Sequence, residues 1–144
     1  MIEQDTIKLL RECDAGVKMG TSSIKDVVEY VHSPELKDML TTCKEKHMEL
    51  DTELQKLLCE YKDEGKDPNP IAKGMSWMKT NVKLTLNESD SVIADLITEG
   101  CNMGVKSLNK YLNQYEAAEE KTKDIAKRLI NLEEKLAVDI RKFL

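Results

Sequence analysis

Leu36, Leu40, Cys43, His47, Leu50, Leu54, Leu57 and Tyr61 follow one another at alternating steps of four and three without a break. A stripe of that period suits a long helix that buries one face along its whole length. A similar stripe precedes it, through Leu10, Cys13, Val17, Gly20, Ile24, Val27 and Val31. Between the two stand Ser33, Pro34 and Glu35. These offer a capping hydroxyl, a residue preset for the first helical turn, and a carboxylate for the positive helix end. The spacing predicts a first helix over about 5–31 and a second over about 34–63. So short a connection makes them an antiparallel hairpin.

The chain then repeats itself. Cys13-Asp14-Ala15-Gly16-Val17-Lys18 returns as Cys101-Asn102-Met103-Gly104-Val105-Lys106, with Leu9 recurring as Ile97 and Ile24 as Leu112. A repeated segment signals a repeated supersecondary unit, so a second hairpin is expected. Its third helix covers about 91–115, along Cys101, Val105, Leu108, Leu112 and Tyr115. Its fourth covers about 117–143, along Ile125, Leu129, Leu132, Leu136, Ile140 and Phe143. The intervening stretch carries Gly65, Pro68 and Pro70 and then a short apolar face of Ile71, Met75, Met78 and Val82, with Trp77 beside it. A helix of about 16 residues there spans roughly 24 Å. Coil at its ends adds roughly 20 Å, which matches the roughly 42 Å of a 28-residue bundle helix. The second and third helices are therefore expected to run parallel, joined by one long crossover. The reading is a single all-α domain over 1–144: a first hairpin at about 5–63, a crossover at about 64–90 containing a short helix, and a second hairpin at about 91–144.

Composition narrows the function classes. The net charge of -5 opposes general binding to nucleic acid or anionic membranes, both of which need a basic surface. No apolar run approaches the roughly 20 residues that span a bilayer. The opening Met1-Ile2-Glu3-Gln4-Asp5 lacks the basic and then apolar order of a secretory signal, so a cytoplasmic location is the expectation. The four cysteines, Cys13, Cys43, Cys59 and Cys101, form no Cys-x-x-Cys pair, and three of them fall on apolar stripes. Reduced core cysteine is the reading that follows.

Five segments carry a family resemblance. They are Leu9-Leu10-Arg11-Glu12-Cys13-Asp14-Ala15-Gly16 with Ser33-Pro34-Glu35-Leu36-Lys37 and Glu53-Leu54-Gln55, the linker Ile71-Ala72-Lys73-Gly74-Met75-Ser76-Trp77-Met78-Lys79, and Cys101 to Lys106. In order and spacing the chain resembles a bacterial ferritin-like family of unknown function within the rubrerythrin and ferritin-like superfamily. The resemblance implies a ferritin-like four-helix bundle and carries no assigned activity. It also implies an acidic residue after the glycine of each repeat, where this chain has Val17 and Val105.

Candidate sites are sparse. Di-iron bundles use a Glu from each of two helices and a Glu-x-x-His from each of the other two. No Glu-x-x-His occurs here, and Lys44 stands three residues before His47. His47 and Cys43 share a helix face at i and i+4, so a metal or redox site would centre on them, with Cys13, Cys101, Glu12 or Glu99 as further ligands. The plainer reading of His47 is a hydrogen-bonded core histidine. His32, in the first turn, reads as a cap for helix carbonyls. Gly16 and Gly104 read as points of close helix approach. No nucleophile elbow or phosphate-cradling loop is present. The expectation is a non-catalytic bundle without cofactor, acting through self-association or an unidentified protein partner. A metal or redox bundle around His47 and Cys43 is the alternative. An apolar-ligand carrier, its core opened around glycine and methionine, is the third reading.

Overall fold

A computed structural model describes residues 2–66 and 89–144. Within them the chain forms α1 (Ile2–Val28), α2 (Pro34–Glu60), α3 (Asp90–Gln114), α4 (Glu120–Asp139) and a closing 3-10 turn (Ile140–Phe143). The helix expected over 70–86, with Trp77, lies outside the described residues. None of the described helices is long and apolar enough to cross a membrane.

Each helix boundary has a local cause. Beyond Val28 the chain turns, and the amides of His32 and Ser33 both donate to the Asp90 carboxylate, at 2.7 and 2.8 Å. The first turn is thus tied by the His32 backbone. Ser33 then caps α2, its hydroxyl accepting from the Leu36 amide. At the far end Lys62 takes a left-handed conformation (φ 54), and the Asp63 and Lys62 amides return to the carbonyls of Leu58 and Cys59. That pair of bonds is a Schellman ending, which stops α2 three residues before the expected Asp63. The fourth helix starts at Glu120 instead of near Ala117, because the preceding amides are used elsewhere. Ala117 N–H donates to Asp5, and Glu119 N–H donates to Thr6.

Those bonds also set helix directions. The α3–α4 turn sits on the first turn of α1, and the start of α3 sits on the α1–α2 turn. Helix α3 is therefore antiparallel to α1 and parallel to α2. The chain leaves α2 at one end of the bundle and enters α3 at the other. Helix α1 lies against α2, α3 and, across the core, α4, while α2 also lies against α4.

Stripe burial drives the assembly. The α2 stripe from Leu36 to Leu57 is buried at every step. On α1 the interior takes Leu9, Leu10, Cys13, Val17, Ile24 and Val27, but also Thr6 and Asp14. Asp14 is fully buried and anchors a hook of chain after α2. It accepts from Lys18 Nζ (2.8 Å), Gln55 Nε2 (2.9 Å) and the Lys66 amide (2.9 Å). Arg11 grips Asp63 through two nitrogens, and Lys66 Nζ reaches Glu12 at 2.5 Å. Gly65 sits in this hook at φ +83, where a Cβ would run into the Asp14 carboxylate. Only glycine suits both demands.

Asp14→Ala removes a buried carboxylate that accepts from Lys18, Gln55 and the Lys66 amide. We expect it to lower unfolding stability by about 2–3 kcal/mol, as loss of hydrogen bonds to a buried charged group does. Urea unfolding monitored by circular dichroism measures this, and an unchanged midpoint would show that the hook adds no stability.

Candidate functional site

The apolar interior is not continuous. One cluster joins Leu9, Leu10, Cys13 and Val17 to Leu50, Leu54, Leu108 and Leu129. The other joins Ile24 and Val27 to Leu36, Leu40, Cys43, Ile97, Cys101 and Leu136. Between them each helix contributes one residue to a different kind of layer: Gly20 from α1, His47 from α2, Gly104 from α3 and Glu133 from α4. His47 is 1% exposed and Glu133 7%. Two residues without side chains thus stand opposite two titratable groups at mid-height.

The imidazole is fixed by its own helix. Nδ1 lies 2.8 Å from the Cys43 carbonyl, which only accepts, so Nδ1 carries a proton and donates. The Cys43 Sγ lies farther off, at 3.6 Å. Nε2 points across to Glu133 Oε1 at 4.0 Å, too far for a direct hydrogen bond. His47 Nε2 and Glu133 Oε2 are both buried without a hydrogen-bond partner. Each orphan atom faces one of the glycines. A Cβ on Gly20 would lie 2.6 Å from Nε2, and one on Gly104 would overlap Glu133 Oε2. Glycine inside a helix costs about 1 kcal/mol relative to alanine, and here it makes room for those two atoms.

Burial works against a charged His47, but the interactions with Cys43 and with the nearby Glu133 carboxylate outweigh it and push the imidazole up to about 10. Burial raises Glu133 above the ordinary carboxylate range, while His47 pulls the other way. The pair therefore holds a proton more tightly than either group would in water. The neighbouring thiol of Cys101 is pushed up to about 12, chiefly by burial, and stays neutral. So does Cys13, also at about 12 and for the same reason.

This layer forms the floor of a half-open groove of about 270 Å³ between α1 and α3. Small residues make its walls: Ala15, Gly16, Gly20 and Ser23 on one side, Gly100, Gly104 and Ser107 on the other. Met19 and Met103 border it, and Leu108 and Leu136 add apolar lining. At the end nearer the start of α1 stand Glu12, held by Lys66, and Tyr111.

The sequence-predicted candidates separate cleanly. His47 and Cys43 are together, and Cys101 borders the same groove. Cys13 belongs to the other apolar cluster and does not join them. Glu12 lines the groove but is engaged by Lys66. Glu99 is exposed and outside the lining. Among the described residues, no group of three His, Cys, Asp or Glu side chains stands where it could hold a metal ion. The four cysteines are free thiols.

Two expectations need correction. No stripe in the sequence predicts a buried carboxylate on the fourth helix, yet Glu133 is inside. The stripe drawn through Leu132 left it out, although 129, 133 and 136 also follow helical spacing. The glycines were assigned to close helix approach. A Cβ on Gly16 meets only the Leu129 side chain, at an ordinary 3.4 Å, and Gly104 makes room for a carboxylate. Compared with family models, curated proteins and solved structures, the chain matches none.

Gly16→Ala should raise stability by up to about 1 kcal/mol, whereas Gly20→Ala should lower it by displacing the His47 ring. Equal effects in thermal unfolding would contradict the layer described above. The pH dependence has a definite sign. A folded His47 value raised from 6.5 to about 10 adds stability that is complete below 6.5 and disappears as pH climbs through 10. The stability difference between the wild type and His47→Gln should therefore shrink across that window. NMR titration of the imidazole in Glu133→Gln should place its midpoint below that of the wild type.

Proposed function

We propose that this protein is a ferritin-like bundle of two related hairpins that binds a small, largely apolar molecule in the α1–α3 groove. The observation that carries the reading is the pair of orphaned atoms, His47 Nε2 and Glu133 Oε2, on the floor of an otherwise apolar groove. Buried polar groups are normally satisfied, and an apolar pocket with a few convergent polar groups is the usual form of a small-molecule site. The parallel course of α2 and α3 supports the ferritin-like arrangement. The repeat is supported by its own placement: Gly16 and Gly104, equivalent in the two copies, both border the groove.

Association as the main role has less to carry it. The exposed large apolar residues on the helices are Ile2, Met48, Met103 and Val138, one on each. Single exposed apolar side chains are ordinary on a protein surface.

The test is a titration of ¹⁵N-labelled protein with toluene, benzyl alcohol and indole. At least one should move the amides of Gly16, Gly20, Gly100 and Gly104 saturably. A free concentration of about ten times Kd should stabilise the fold by about 1.4 kcal/mol. Ala15→Trp, which fills the groove from its rim, should abolish both effects. If none of the three probes shifts those glycines saturably, the ligand reading fails.

A further inference from the structure

Resting on the ligand reading above, we infer that the groove selects an uncharged molecule of about one ring that carries a hydroxyl group, an alcohol or a phenol. The argument begins with the proton inventory of the floor. Nδ1 of His47 is committed to the Cys43 carbonyl, so only Nε2 can answer a ligand. Glu133 offers Oε2, which has no partner. With the pair charged, Nε2–H needs an acceptor and Oε2 needs a donor. A hydroxyl supplies both from one atom: its oxygen accepts from Nε2–H, and its hydrogen goes to the carboxylate. If the proton moves to Glu133, the hydroxyl reverses, accepting from the carboxylic acid and donating to the bare Nε2. It is satisfied in either state.

Charged head groups fare worse. A carboxylate on the ligand would meet the Glu133 carboxylate at close range, and an ammonium would meet the imidazolium. The Cys101 thiol, kept neutral by burial, supplies no compensating charge, and Lys66 is engaged with Glu12 at the far end of the groove. A hydrocarbon would leave both floor atoms unpaired, the condition that excludes analogues lacking a hydroxyl from sites built for one. The glycines set where the head group goes. A Cβ at Gly20 or Gly104 would collide with Nε2 or Oε2, so the two glycines let both polar atoms sit at the floor of the groove, where the hydroxyl would meet them. Size follows from the volume. About 270 Å³ exceeds the roughly 150 Å³ that accommodates benzene and falls just short of the roughly 300 Å³ at which drug-sized pockets begin. Ala15, Gly16, Ser23 and Gly100 leave flat, narrow walls suited to a ring.

The experiment compares four probes of one shape: benzyl alcohol, toluene, benzoate and benzylamine, each titrated by calorimetry and NMR into the wild-type chain. Benzyl alcohol should bind about tenfold or more tighter than toluene, the worth of one net hydrogen bond to a charged group. Benzoate and benzylamine should bind more weakly than the alcohol. In Glu133→Leu the advantage of alcohol over toluene should fall to about twofold or less, with toluene itself retained. Should that variant fail to fold, the wild-type ranking alone decides. Equal affinity for toluene and benzyl alcohol overturns the hydroxyl inference and leaves the groove standing as an apolar site. Tightest binding by benzoate or benzylamine also overturns it. No saturable binding by any probe removes the ligand reading together with this one.

Discussion

Four apolar stripes must be buried against one another along nearly the whole length of the bundle, and this constraint organises everything else. Two helices of 27 residues form the first hairpin, and helices of 25 and 20 residues the second. Stripes this long leave little freedom in register, because slipping by one residue takes apolar side chains into water at several levels. The turns complete the arrangement through hydrogen bonds that cross between hairpins. Asp90 holds the first turn, and Asp5 and Thr6 hold the last. With register set in this way, the level of His47 and Glu133 is placed as firmly as the apolar levels around it.

That level behaves differently from a core layer of leucines. Burying an imidazole and a carboxylate forfeits hydration, which an ion pair in contact partly restores. Here the two groups stop at 4.0 Å, each with an unanswered polar atom that takes the room left by a glycine on a facing helix. Natural sequences depart from local stability rules mainly where function requires it. Two helix-interior glycines beside two unsatisfied buried atoms form such a departure, with all four residues at one height. Asp14 shows the contrast. It is just as buried, but it accepts hydrogen bonds from Lys18, Gln55 and the Lys66 amide and does not line the groove. Its counterpart in the second repeat, Asn102, is exposed.

Much of this was legible in the residues. The α2 stripe is buried at each step from Leu36 to Leu57, Ser33 caps where its position suggests, and His47 and Cys43 meet as their spacing requires. Gly20 was already on the α1 stripe. What escaped notice has physical causes. Glu133 lies one residue beyond Leu132, and a wide helical face brings both positions near the interior. Hydropathy then favours leucine, although Glu133 is the more deeply buried of the two. Glu99 looked equally close to the interior and is exposed, because α3 turns its Ile93, Ile97 and Cys101 face inward. At the α1–α2 turn and before α4 the amides are taken by Asp90, Asp5 and Thr6, partners distant in sequence that no local signal reveals.

Hydrogen bonds hold the turns at both ends of the α1–α3 pair. Asp90 clamps one tip and the Asp5 and Thr6 side chains clamp the other, whereas at the centre a glycine on each rod leaves the pair without a spacer of its own. A molecule bound there as proposed would pack against both rods and serve as a structural member of the cross-section.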